Sequence, residues 1–246
     1  MATGAKRSER RREPLTRERV VGAAIELLDA SGEGGLTFRA LSHRLSTGPG
    51  AIYWHVPNKD ELLDAATDSV IAAALTDQPV AVSTDPPGRV EQSPRERVRT
   101  VALGLFEAID EHPWLGAQLA TQVSRNPWRS ASLRIFDRIG QQVLALGVPG
   151  DGQFLAASAL MQYILGAAGQ NAANGRSAVP GMDRGEFLDS VSTAWESLDA
   201  DDYPFARVIG DQLRDHDDRE QFLAGIDLIL AGITVVYPPT TRSDSG

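Results

Sequence analysis

The 246-residue chain contains no cysteine, which removes disulfides, thiolate metal sites and cysteine nucleophiles in one step. No apolar run reaches the ~18 residues that a membrane span requires. The basic N-terminus is not followed by the apolar core of a secretion signal, so the expectation is a protein retained in the cytoplasm. Histidine is scarce. His43, His55, His112 and His216 are scattered, and none forms a His-x-x-x-His or His-Glu-x-x-His site. A Gly-x-Ser-x-Gly elbow and a phosphate-binding glycine loop are also missing. Acidic clusters do occur, at Asp199, Asp201, Asp202 and at Asp215, Asp217, Asp218. Their spacing does not fit an EF-hand loop, and solvated loops or helix starts account for them. The expectation is a protein with no catalytic residues, no metal and no cofactor.

What is present is an ordinary apolar fraction of 42%, charged residues at 23% and a net charge of −9. That total opposes nucleic-acid binding, but the distribution does not. Residues 1–65 carry ten Lys/Arg against nine Asp/Glu, so nearly all the negative excess lies beyond them. Lys6, Arg7, Arg10, Arg11 and Arg12 cluster ahead of the first helix. They form either a solvated tail or an arm, with Arg10, Arg11 and Arg12 as its DNA contacts.

The periodicity is helical throughout, and the fold class expected is all-α. Thr16 caps a first helix through Val20, Ala24, Leu27 and Leu28, and Gly32 stops it. Thr37 caps a short second helix with Phe38, Leu41 and Leu45 facing inward. Ser46 to Gly50 form a turn, and a third short helix follows until Pro57. Asn58 and Glu61 have the spacing of a capping box. They open a fourth helix whose inner face is Leu62, Leu63, Ala66, Val70 and Ala73. Prolines between 77 and 93 mark a linker. Seven further helices follow, including 151–174, 183–198, 204–214 and 219–235. The expected domains are a basic arm (1–13), a three-helix DNA-binding domain (14–75), a linker (76–93), a larger helical domain (94–237) and a tail (238–246).

Three short helices with a tight turn before the third make a helix-turn-helix, whose recognition helix enters the major groove. The run Tyr53-Trp54-His55-Val56-Pro57-Asn58-Lys59-Asp60-Glu61-Leu62-Leu63-Asp64-Ala65, with Leu36-Thr37-Phe38-Arg39-Ala40-Leu41 upstream, closely resembles the TetR family and its tetracycline repressors. The resemblance covers about residues 14–70. It implies a homodimeric, ligand-responsive repressor that binds a palindromic double-stranded operator.

The DNA-contact candidates are Thr37, Arg39, Arg44, Thr47, Gly48, Pro49, Gly50, Ala51, Tyr53, Trp54, His55 and Lys59. Tyr53 and Trp54 are either partly core or in contact with sugar-phosphate and thymine methyl groups. His55 either meets a phosphate, as the resemblance implies, or caps its helix. Arg44 is either a contact or a solvated face. Gly48, Pro49, Gly50 and Ala51 stand where tetracycline repressors carry larger polar side chains. Without those side chains, the ~1–3 kcal/mol bidentate base contacts are lost. Specificity must then come from apolar contact, close backbone approach, Arg39 and DNA shape.

For the larger domain the resemblance implies a ligand pocket and an interface built from late helices. Helices near 151–174 and 219–235 suit that interface, because Ala156, Ala157, Ala159, Gly166, Ala167, Ala224, Gly225 and Gly232 permit close approach. The pocket candidates are Trp114, Gln118, Trp128, Phe136, Met161, Tyr163, Gln170 and Trp195. The stretch Gln162-Tyr163-Ile164-Leu165-Gly166-Ala167 resembles a tetracycline-repressor helix in which Gln170 replaces a metal-linked carboxylate. A neutral amide is a poor magnesium ligand. The effector expected is therefore a small apolar or natural-product-like molecule rather than metal-bound tetracycline. Two alternatives stand beside this reading: a DNA-binding activator or regulator answering to a protein partner, and a helical enzyme.

Overall fold

The computed structural model describes residues 14–76, 92–125, 131–176 and 182–238. Arg10, Arg11 and Arg12, linker residues 77–91, Trp128 and residues 239–246 lie outside them. Every regular element among the described residues is helical.

The helices are α1 (Arg17–Gly35), α2 (Phe38–Arg44), α3 (Pro49–Tyr53), α4 (Lys59–Thr76), α5 (Pro94–Glu111), α6 (Trp114–Arg125), α7 (Ala131–Ala145), α8 (Gly150–Arg176), α9 (Arg184–Glu196), α10 (Pro204–Ile209) and α11 (Asp218–Val236), with a 3-10 turn at Gly210–Leu213. The chain separates into two compact units that divide between Ala66 and Thr67, inside α4.

In the first unit, α1 begins at Thr16, whose hydroxyl accepts from the Arg19 amide at 3.3 Å. Its regular path breaks at Gly32, which takes φ +63°, a left-handed conformation that glycine alone adopts without a side-chain clash. Only one more turn follows. The core of the unit is Val20, Ala24, Leu28, Leu36, Leu41, Ile52, Leu62 and Ala66, each 0 or 1% exposed. Asn58 Oδ1 accepts from the Glu61 amide at 2.8 Å, and the Glu61 carboxylate returns to the Asn58 side-chain amide at 3.4 Å. The start of α4 is thus satisfied by side chains, as the spacing anticipates.

In the second unit, α5, α7 and α8 pack against one another, α6 lies on all three, and α11 lies on α5 and α8. Ser93 and Glu96 form a reciprocal capping box on α5. Hydrogen bonds from the Ser93 backbone and hydroxyl hold the Glu96 carboxyl below its ordinary range. Arg99 pairs with Asp227, and Arg95 donates to Thr234 Oγ1 at 2.8 Å, tying α5 to α11. Arg214 joins the region around α9 by bonding Glu196, Asp211 and Asp189. Those three carboxylates raise its already high pKa.

An aromatic cluster seats α8 on α11. Tyr163 stacks on Phe222 with centroids 5.9 Å apart and donates to the Phe222 carbonyl at 3.2 Å. Phe222 also meets Phe106 at 4.8 Å. Gly225 makes room for the phenol, since a Cβ there would overlap Tyr163 Oη. Gly225→Ala should therefore destabilise the protein by about 1–3 kcal/mol, seen as a lower midpoint in urea or thermal melts. An unchanged midpoint would mean that Tyr163 swings away freely.

Candidate nucleic-acid interface and helical pocket

Thr37 accepts from the Ala40 amide at 3.1 Å and starts α2. Leu41 and Ile52, both fully buried, dock α2 and α3 into the first unit. Between them Ser46 takes φ +49°, the backbone reversal that a three- to four-residue helix–turn–helix connection needs. Pro49 occupies the first helical position of α3, where its missing N–H costs nothing. With Ile52 turned inward, Gly48, Pro49, Gly50 and Ala51 are exposed. A Cβ at Gly48 or Gly50 would meet nothing within 4 Å. The start of α3 is therefore a smooth surface of backbone and small groups, open to a close-fitting partner.

The two aromatic residues divide. The Tyr53 ring stacks on Phe38 at 4.3 Å with a 10° interplanar angle, so it is half-committed to the fold. Trp54 is 91% exposed. His55 is half-buried. Arg39 is exposed, and no described residue pairs with it. Arg44 is engaged by Glu26 of α1, which joins α1 to α2 and leaves less of its charge for a partner. Lys59 Nζ donates to the Glu33 carbonyl at 2.8 Å and lies 4.0 Å from the Glu33 carboxylate. An ammonium has three donors, so this bond orients Lys59 without exhausting it. Thr47 is half-buried and Thr37 exposed.

In the second unit the pocket candidates do not converge on one place. Trp114 and Gln118 are buried on α6. Phe136 lies half-buried beside Phe154, centroids 6.0 Å apart. Tyr163 is committed to α11, and its burial pushes the phenol up from its ordinary pKa. Met161 is half-buried, Gln170 faces solvent, and Trp195 packs toward Gly210 on the α9 annex. Sequence patterning missed five buried polar side chains: Ser192 on α9, Gln122 on α6, Thr67 on α4, and Ser132 and Gln142 on α7. For the α7 pair the signal was available, since Ser132, Ile135, Ile139 and Gln142 share one helical stripe. A surface groove of about 540 Å³ runs between the end of α4 and the outer side of α7, lined by Ala72, Leu75, Thr76, Leu133, Arg134, Asp137 and Arg138.

The small residues of α8 and α11 serve two purposes. Ala156 and Ala157 are buried within the unit. Gly166, Ala224 and Gly232 are exposed, beside the solvent-facing Leu155 of α8 and Leu228, Val235 and Val236 of α11. No helix among the described residues is long and apolar enough to cross a membrane.

Comparison with known proteins follows this division. Residues 20–66 match the model described as bacterial regulatory proteins, tetR family, and residues 87–237 match the tetracyclin repressor-like C-terminal domain. The transcriptional regulator SCO7222, a TetR from Streptomyces coelicolor, is 60% identical with a TM-score of 0.79, over 91% of this chain and all of that one. ActR from the same organism, solved in complex with actinorhodin, is 26% identical with a TM-score of 0.67, over 91% and 99% of the two chains. An HTH-type transcriptional regulator of Saccharopolyspora erythraea is 29% identical over 152 residues, which is 62% of this chain and 59% of that regulator's length.

Proposed function

We infer function from one premise: this chain belongs to the TetR family of bacterial regulatory proteins. It acts as a ligand-responsive transcriptional repressor. A homodimer binds a palindromic operator through two helix-turn-helix heads, and a small effector releases it. The observation that carries the reading is the exposure of Gly48, Pro49, Gly50, Ala51 and Trp54 around a short helix anchored by Ile52, a surface left open by the described residues.

A dimer would set two such helices at half-sites about 34–36 Å apart, or a multiple of that spacing. Arg39, Thr37, Thr47 and Trp54 face the backbone and groove edges, and the bare Gly48–Ala51 surface permits close apposition to bases. His55 and Lys59 meet phosphates. Arg44 supports the head through Glu26, and Arg10, Arg11 and Arg12 supply a basic arm. The interface is the apolar face shared by α8 and α11. The effector is a small, largely apolar, natural-product-like molecule. ActR, whose solved complex holds actinorhodin, supports that class without fixing the compound.

The test is selection of operator fragments from genomic DNA by the full chain, followed by gel shifts at two salt concentrations with competitor DNA. A competitor-resistant complex at nanomolar protein on a palindromic site is the expected result. Binding that vanishes into competitor on every fragment would overturn the reading. On the selected operator, Lys59→Met should weaken binding evenly across sequence variants and reduce the salt slope by about 1. An unchanged slope in a potassium chloride series would remove Lys59 from the phosphate contacts and leave it as a tie to Glu33.

A further inference from the structure

Ile52 is fully buried and so fixes which side of α3 looks outward. At about 100° of rotation per residue, Gly50 stands nearly opposite Ile52, with Pro49 and Ala51 to either side of it. All three are exposed. A Cβ added at Gly50 would meet nothing within 4 Å. The centre of the outward face is therefore bare backbone, bordered by the Pro49 ring and the Ala51 methyl. Polar groups are few in this turn. Pro49 has no N–H, and the Ala51 N–H donates to the Gly48 carbonyl at 3.1 Å. The hydrogen-bonding side chains of Arg39 and Thr47 precede α3, and Tyr53 follows in the next turn, held by its stack on Phe38.

In a helix-turn-helix the N-terminal residues of the recognition helix lie against base edges in the major groove. Every base pair presents donors or acceptors there, and the side chains of Pro49, Gly50 and Ala51 answer none of them. Thymine alone also presents an apolar group, its C5-methyl. Burying that methyl between the Pro49 ring and Ala51 is favourable. A cytosine at the same place presents an amino group that loses its water and that this surface cannot pair. The bare face over Gly50 therefore selects by apolar fit rather than by hydrogen bonds.

We propose that the start of α3 reads its operator through a thymine C5-methyl seated over Gly50, between Pro49 and Ala51, so that removing this methyl weakens binding and C5-methylation of a cytosine at that position strengthens it. The proposal rests on the reading of the chain as a DNA-binding regulator and names the base group that its head recognises. Gly50 is the specificity-determining position, because a side chain there takes the space of the thymine methyl without meeting anything in the protein itself.

The experiment titrates the full chain against the selected operator with each thymine replaced in turn by deoxyuridine, which lacks only the methyl. One symmetry-related pair of positions should show a loss of about fourfold per half-site, and about fifteenfold with both replaced. Cytosine at that pair should bind more weakly still, and 5-methylcytosine should recover about fourfold per half-site over cytosine. Gly50→Ala should keep its thermal midpoint and bind the thymine operator more weakly than the parent. It should also shrink the thymine-to-deoxyuridine difference at that pair to below about twofold. Losses below about twofold at every thymine, or a loss that Gly50→Ala leaves unchanged, would overturn the proposal. A loss that persists in Gly50→Ala and disappears in Trp54→Ala overturns it by assigning the methyl to the indole. If any of these results comes while the unmodified operator is still held, only the methyl reading falls. If no operator is held at all, the regulator reading falls with it.

Discussion

Leu228→Arg should convert the operator-binding species into monomers and lower operator affinity roughly 10²–10⁴-fold. Leu228 is 76% exposed on α11, in register with Val235 and near exposed Gly232. An arginine there leaves the core of the chain untouched, and a surface change of this kind alters stability by about 0.5 kcal/mol or less. In the proposed dimer the same position is buried twice, once from each subunit, because a two-fold interface repeats every contact. Two unpaired guanidinium groups would then be forced together and out of water, a cost of several kcal/mol. One released head carries too few phosphate and base contacts to hold a palindromic site alone, and the second half-site adds its energy only through the connection. Sedimentation of the variant and its gel shift on the selected operator check the two steps separately. A variant that stays dimeric and binds like the parent would move the interface away from α11.

How much of this was visible in the sequence depended on how far apart the interacting residues stand. Local signals were sufficient for the helices: Thr16, Thr37 and Asn58 cap as their types predict, Gly32 breaks α1, and the helix-turn-helix lies where the Tyr53–Ala65 run placed it. Phase within long helices was less secure. Ala73 was expected on the inner face of α4, yet it is exposed while Ile71 and Leu75 are buried. Leu155 faces solvent and the smaller Ala156 and Ala157 face inward on α8. Hydrophobicity alone favours the larger side chain inside, but tight helix packing selects the smaller one. Roles set by distant partners were not legible at all. Nothing near Tyr53 in the sequence announces its stack on Phe38, and nothing near Lys59 announces Glu33, 26 residues earlier. The polar stripe on α7 was open to periodicity, but whether its oxygens find partners is a property of the packed unit.

The division between Tyr53 and Trp54 leads to the second large effect. Trp54→Ala should reduce operator affinity by about ten- to thirtyfold or more, as loss of about 2 kcal/mol at an aromatic anchor implies, without lowering the melting temperature. At 91% exposure the indole contributes almost nothing to the core. Its large apolar surface, held in water at the end of α3, is therefore available for the proposed contact with DNA. Tyr53→Ala, by contrast, should cost folding stability as well as binding, because it dismantles the stack on Phe38. The pattern of loss then assigns the contact. A uniform loss on every operator variant places the indole against sugar and phosphate, whereas a loss that disappears when one thymine is replaced by a base lacking the methyl group places it in the major groove. Gel shifts of the two variants across a set of single-base operator changes, with thermal melts of the same preparations, separate these outcomes. Wild-type affinity for Trp54→Ala on every one of those operators would remove the most exposed aromatic of the head from the interface.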